Sequence, residues 1–227
     1  MAGNRVEEIT DLIKIQNVII SVSDKKKLEY LVNGLFEINS ELKIFSTGGT
    51  FKKISSFLNQ SRRENLISIS GYTGQPEMQG GLVKTLDFKL YLGLLSEPGN
   101  IAHRKDLERV GGVTFDMVVV NLYPFEKTVA ERGDNAEDAR NNIDIGGPSM
   151  LRASAKNFLR VVPLCDPSDY KVILEELKSN KGKISFKTRF LMARKAFNHT
   201  AEYDRVISSY FRDIDFSMIQ KVYRITG

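Results

Sequence analysis

Three short stretches of this chain collect the side chain types that hold anions and move protons. "SVSDK" (residues 21–25) supplies the hydroxyls of Ser21 and Ser23 and the ammonium of Lys25. "STGGT" (46–50) supplies Thr47, Thr50 and the bare peptides of Gly48 and Gly49. Hydroxyls and unpaired N–H groups at a helix start favour negative charge, and the helix dipole adds to them. A phosphate group is the natural occupant, although two glycines between threonines also make an ordinary turn. Neither loop reads G-x-x-x-x-G-K-[ST] or G-x-G-x-x-G, so triphosphate and dinucleotide sites have no direct support.

The third stretch is "NNIDIGGPSMLRASAKN" (141–157), in which Asp144 precedes a helix start that stabilises a carboxylate. Arg152 and Lys156, four apart, share one face of that helix, while Leu151, Ala155 and Phe158 turn toward a core. Gly146-Gly147-Pro148 reads in two ways. It is a chain turn with Pro148 at the first helical position, where a missing N–H is harmless, or it is backbone stripped bare for a ligand. Between these stretches "GGLVKTL" (80–86) carries Lys84 and Thr85, and "NLYPF" (121–125) carries Asn121 and Tyr123. Taken singly, Lys84 suits a surface charge and Tyr123 suits packing at a strand end.

The elements that must position them alternate along the chain. Apolar, β-branched runs ("NVIISVS", "LKIFS", "NLISIS", "FDMVVVNLY", "RVVPLC") are interleaved with amphipathic patterns such as "DKKKLEYLVNGLFEIN", "TFKKISSFLNQ" and "DPSDYKVILEELKSN". Short continuous apolar strands followed by helices predict a doubly wound α/β fold, its mainly parallel sheet covered on both faces. Ser23 before Asp24 and the Asp166-Pro167 pair read as helix starts, with Tyr170, Ile173, Leu174 and Leu177 as a buried stripe. A helical extension is expected from about Ser185 to Phe211. Loops are expected at 61–65, 71–81, 97–100 and 131–135, the second long enough to suggest function. In an open parallel sheet the ligand crevice lies at the carboxyl ends of the strands, where the polar stretches fall.

Composition narrows the choices. With 41% hydrophobic and 27% charged residues, the 227-residue chain suits one globular domain. Its net charge of +5, 33 basic against 28 acidic side chains, is spread without a basic block and suits an anionic ligand weakly. No aromatic-basic cluster or helix-turn-helix signature points to nucleic acid. Cys165 is the single cysteine and the two histidines, His103 and His199, lie far apart, so neither an internal disulfide nor a zinc site is expected. No secretory apolar region or membrane-length stretch is seen, and a cytoplasmic protein is expected.

Read together, "SVSDK", "STGGT", "TGQPEMQGGLVKTL", "NLYPFEKTV", "NIDIGGPSMLRASAKN", "DPSDY" and "AFNHTAEYD" fall in the order and spacing of a known family. The chain resembles the inosine monophosphate cyclohydrolase half of the bifunctional purine-biosynthesis enzymes over roughly residues 17–212. The resemblance implies a methylglyoxal-synthase-like α/β domain at 17–212, between an N-terminal extension (1–16) and a C-terminal tail (213–227). It implies closure of the formamido-carboxamide imidazole ribonucleotide FAICAR to IMP with loss of water, without cofactor or metal. Phosphate would sit on Ser21, Ser23, Lys25, Thr47, Gly48, Gly49 and Thr50. The base and carboxamide would be held by Val83, Lys84, Thr85, Asn121, Leu122, Asp144, Ile145 and Gly146. Lys84 would bind the formyl oxygen; Lys156, Tyr123 and Asp144 would move protons, with Arg152 assisting Lys156. The glycines at 146 and 147 would let the nucleotide lie against backbone. A homodimer is also implied.

Two departures from the family pattern stand out. Where the family reads "GRVKTLHPKIHGG", this chain reads "GLVKTLDFKLYLG": Leu82 replaces arginine, Asp87-Phe88 replaces His-Pro and Tyr91 replaces histidine. The formyltransferase half with its "RYGENPHQ" stretch is also missing, so a separate formyltransferase is expected to supply FAICAR unless the chain is a piece of a longer one. The loss of an arginine beside the substrate leaves a second reading, a non-catalytic nucleotide-binding module on the same fold.

Overall fold

The structure, a computed structural model, describes residues 5–75, 85–126, 129 and 135–226. In chain order the strands are β1 (Ile13–Lys14), β2 (Asn17–Val22), β3 (Lys43–Ser46), β4 (Leu66–Ser68), β5 (Met117–Asn121), β6 (Val162–Leu164) and β7 (Lys183–Ile184). The helices are α1 (Leu28–Ile38), α2 (Gly48–Phe57), α3 (Gln60–Arg63), α4 (Ile69–Thr73), α5 (Phe88–Leu95) and α6 (Ile101–Arg109). They continue with α7 (Ala136–Asn141), α8 (Gly146–Lys156), α9 (Tyr170–Ser179), α10 (Phe186–Asp213) and α11 (Phe216–Val222).

Alternation within the apolar runs decides which side chain goes where. In β2, Val18, Ile20 and Val22 enter one core while Ile19 enters the other; in β5, Met117 and Val119 part from Val118 and Val120 in the same way. A strand buried on both faces needs helices above and below it. The first core is closed by α1, α2 and α9, whose stripe of Tyr170, Ile173, Leu174 and Leu177 is buried as expected. The second is closed by α5, α8 and α10 through Leu90, Leu94, Met150, Leu151, Ala193 and Ala196.

The five central strands run parallel in the order β4-β3-β2-β5-β6. The chain leaves β2 toward β3 on one side and returns to β5 on the other. The carboxyl end of β2 is therefore the point where the winding reverses, and that is where a crevice opens in folds of this kind.

Several local expectations shift. Ser23 caps nothing: α1 begins at Leu28, after Lys27 in the left-handed region at φ 56°, because the turn before it is held instead by Asp24 and Asn121. The "NLISIS" strand stops at Ser68, whose hydroxyl accepts the Gly71 N–H and starts α4 inside the stretch expected to be loop. Likewise Asn59 accepts the Arg62 N–H and turns 60–63 into α3. The rest of the 71–81 stretch, from 76 onward, lies outside the described residues, as does most of 131–135.

The segments expected as extension and tail both join the body. β1 pairs antiparallel with β7, Ile13 opposite Ile184. Arg189, fully buried on α10, donates to the carbonyls of Thr10, Asp11, Phe158, Leu159 and Ile184 at 2.6–3.1 Å. A buried guanidinium needs all its donors satisfied, and here backbone carbonyls do so without a carboxylate. At the other end Tyr223, just past α11, bonds the Glu137 carboxylate of α7.

Candidate active site

A cleft of about 270 Å³ opens at the carboxyl end of β2. Its walls come from the turns after β2, β3 and β5 and from the start of α8. Four chain segments distant in sequence meet because the parallel register aligns their strand ends: Ile20 lies opposite Ser46 on one side and Val119 on the other.

One end of the cleft is built from Ser21, Ser23, Lys25 and Thr47–Thr50. The Ser21 and Thr47 hydroxyls share a 2.8 Å hydrogen bond. Thr47 makes no side-chain cap bond to α2, so the first N–H groups of that helix have no intrahelical or capping partner. A Cβ placed on Gly49 would meet nothing within 4 Å, so this helix start faces open space. Such a terminus favours an anion. Lys25 folds back so that its ammonium donates to the carbonyls of Ser23 (3.2 Å) and Val22 (3.5 Å). Thr50 lines the cleft as part of this loop. Its buried hydroxyl donates to the Val22 carbonyl at 3.0 Å and accepts the Val22 N–H at 3.1 Å, which leaves a ligand its peptide rather than its side chain.

The opposite end holds Tyr123, Asp144, Ile145, Gly146 and Thr85. Asp144 Oδ1 accepts the Gly147 N–H at 2.9 Å, and the Tyr123 and Gly146 peptides also donate to this carboxylate. Burial nevertheless outweighs these donors and raises its pKa above the usual aspartate value. A carboxyl raised in this way is poised to exchange protons nearer neutrality.

The two glycines answer the question left open by the sequence. A Cβ on Gly146 would collide with the Thr85 hydroxyl, and one on Gly147 would lie 2.6 Å from Asp144 Oδ2 and 2.7 Å from Leu122. Their bareness serves the site's own packing, and both also line the cleft. Asn121 lines the cleft as well. Its amide exchanges two hydrogen bonds with the Asp24 backbone, 2.8 and 2.9 Å, and so locks the β2 turn to β5. Leu122 is buried in the second core beside Gly147 and is not a cleft-lining group.

Tyr123 and Asp144 therefore share one cleft with Thr85, whereas Lys156 does not line it. Lys156 closes α8, ten residues after Gly146 and so roughly 15 Å along the helix axis at 1.5 Å per residue. Arg152 is exposed on the same helix and stacks on Phe197 of α10, 5.7 Å from the ring centre. Neither helps Asp144 within one chain. Lys84, Val83 and the departing Leu82 lie outside the described residues. Two of the other departures have structural reasons: Asp87 caps α5 by accepting the Lys89 and Leu90 N–H groups, and Tyr91 packs on the second core, where burial pushes its hydroxyl up to about 12; nothing in the structure explains the exposed Phe88.

Sequence reasoning attached no chemistry to Tyr203 in "AFNHTAEYD", yet its hydroxyl accepts the Asp144 N–H at 2.8 Å. Cys165 is buried as expected, with a thiol pushed up to about 11. Among the described residues no group of three or more His, Cys, Asp or Glu could hold a metal, and no helix is long and apolar enough to cross a membrane.

A five-stranded parallel sheet with its cleft at the reversal point defines an open α/β domain of the kind that binds ligands there, and comparison with known proteins makes the class specific. Residues 27–149 match the MGS-like domain model and residues 154–226 the AICARFT/IMPCHase bienzyme model, so the chain belongs to the MGS-like domain family as it occurs in that bienzyme. It is 43% identical over 206 residues to the bifunctional purine biosynthesis protein PurH of Ruminiclostridium cellulolyticum, covering 89% of this chain and 38% of that protein. To the PurH protein of Caldicellulosiruptor saccharolyticus it is 44% identical over 204 residues, covering 88% and 37%. The chain thus spans well under half the length of these relatives. A crystal structure of ForH superposes with a TM-score of 0.72 at 28% identity, covering 87% of this chain and 99% of that one.

Proposed function

We propose that the cleft closes FAICAR to IMP, the carboxamide nitrogen attacking the formyl carbon of the same molecule and water leaving. The observation that carries this reading is the pairing, within one cleft, of an open glycine-led helix start at one end with a buried carboxyl at the other. Relatives that are bifunctional purine biosynthesis proteins point the same way.

In this reading the phosphate binds Ser21, Ser23, Lys25 and the peptides of Thr47–Thr50. The imidazole carboxamide lies between Thr85, Tyr123 and the Asp144–Gly146 turn. Anchoring the phosphate at a fixed distance from Asp144 folds the substrate so that nitrogen and carbon meet, and such placement supplies up to about 7–11 kcal/mol in favourable intramolecular reactions. As the C–N bond forms, the carboxamide nitrogen loses a proton and the formyl oxygen gains negative charge. Lys84 is assigned to that oxygen. The oxygen then leaves as water as the C–O bond breaks and a C=N bond forms, taking up one proton from the carboxamide nitrogen and one from the formamido nitrogen. Because protons given up by nitrogen end on the departing oxygen, one group able to accept and return a proton serves both halves, and the raised Asp144 carboxyl suits that role, with Tyr123, whose peptide donates to it, lining the same cleft. Lys156 is left out of the relay of its own chain.

Incubation with FAICAR, followed by ultraviolet absorbance for IMP, tests the proposal. Conversion well above buffer supports it. Tight nucleotide binding without conversion supports the binding-module reading instead. Assembly as a homodimer belongs to the same proposal; sedimentation as a strict monomer at micromolar concentration removes it.

A further inference from the structure

We infer that Tyr203, on the long helix α10, is a positioning residue that sets Asp144 by clamping the turn from which it projects. That turn, residues 142–145, is all that joins α7 to α8. The helices hold its two ends, the Asn142 N–H bonding the Asp138 and Ala139 carbonyls of α7 and the Ile145 carbonyl accepting the Ser149 N–H of α8, while the Asp144 N–H between them is taken up by Tyr203. The Tyr203 hydroxyl grips it twice, accepting the Asp144 N–H at 2.8 Å and donating to the Asn142 carbonyl at 3.4 Å. A phenolic oxygen can do both at once, which no apolar ring can.

The consequence reaches the carboxylate through the backbone. Asp144 Oδ1 is met by the Gly147 N–H at 2.9 Å, with the Gly146 and Tyr123 peptides also donating. Two of these three donors belong to the segment that follows the clamped turn, so rotation of the Asp144 peptide would carry the carboxylate away from them. The side chain lies close against the bare Gly147, where a Cβ would stand 2.6 Å from its Oδ2. The clamp also crosses a boundary: Asp144 falls in the region matched by the MGS-like model, and Tyr203 in the region matched by the bienzyme model. The C-terminal helix is thereby part of the site, while the phosphate end of the cleft contains no residue from it.

The test compares Tyr203→Phe with wild type by NMR titration of the Asp144 carboxyl carbon, assigned with Asp144→Asn. Phenylalanine keeps the burial and removes the clamp. The donors weaken while desolvation stays, and the Asp144 midpoint rises by about half a unit or more. Identical titration in a folded Tyr203→Phe protein overturns the inference. If the variant fails to fold, hydrogen exchange in the wild type decides: a protected Asp144 amide supports the clamp and free exchange overturns it. The kinetic arm rests on the cyclohydrolase reading. There kcat falls about 10–100-fold in Tyr203→Phe while IMP affinity stays within about threefold. An inactive wild type with a shifted Asp144 midpoint defeats that reading and leaves the clamp standing; a normal kcat with an unshifted midpoint defeats the clamp alone.

Discussion

The two ends of the cleft are built on different principles. The phosphate end consists of backbone and short side chains at the tips of adjacent parallel strands, Ser21, Ser23, Lys25 and Thr47–Thr50, and its N–H groups are left open. The Asp144 end is closed and filled: Thr85 occupies the space above Gly146, Leu122 the space beside Gly147, and Tyr203 reaches in from α10. An anion that arrives with its own charge needs donors that are free. A carboxyl that must hold an unusual protonation state needs neighbours that exclude water.

The largest effect is expected at the closed end. Asp144→Asn should lower kcat at least about 100-fold while IMP binding, measured calorimetrically, changes little. The same variant has a stability signature. An aspartate whose folded pKa is raised favours folding while both states are protonated. It loses that advantage as pH rises from the unfolded value near 4 through the folded one, and above it the ionised, desolvated carboxylate is a net cost. Differential scanning calorimetry should therefore show the Tm of Asp144→Asn gaining on wild type as pH rises through that window. A parallel pair of Tm profiles would remove the claim that burial dominates at Asp144.

Next comes Gly147→Ala, whose methyl would press on the Asp144 carboxylate and Leu122; denaturant unfolding should show a loss of about 1–3 kcal/mol. Lys25→Ala, at the open end, should weaken IMP binding about tenfold with kcat nearly unchanged, which is about 1.4 kcal/mol of affinity. The smallest effect on folding belongs to Gly49→Ala. Its Cβ meets nothing, and replacing glycine in a helix should leave stability equal or improved by up to about 1 kcal/mol. Its methyl would still face the phosphate, so nucleotide affinity should fall. If Gly49→Ala unfolds the protein or Gly147→Ala does not disturb it, the contrast between an open and a packed helix start fails.

The open end was the more legible in the sequence. Hydroxyls, glycines and a lysine directly after apolar runs place a cradle at strand tips by local pattern alone, and the structure gathers those residues into one cleft. The closed end was half legible. Asp144 before Gly146-Gly147 was visible as a motif, but the function of the glycines was not, because it depends on Thr85 and Leu122, 61 and 25 residues earlier in the chain. Lys156 shows the opposite failure. Its motif runs continuously from Asp144, yet a straight helix carries it out of the cleft. Tyr203 was invisible altogether: a hydroxyl on a long amphipathic helix has no local mark that distinguishes a clamp from a surface tyrosine.

What the residues determined by themselves was periodic and local: which runs become doubly buried strands, which stripes become helix faces, and where polar turns must emerge. These follow from a chain's need to bury apolar side chains and to satisfy its backbone, and each is decided within one or two turns of sequence. Tertiary structure alone decided which peptide would meet which hydroxyl across the fold, and so which aspartate would be dried and held. That choice depends on distances between segments brought together only by the winding of the sheet and the docking of α10, where a shift of one ångström separates a hydrogen bond from a gap.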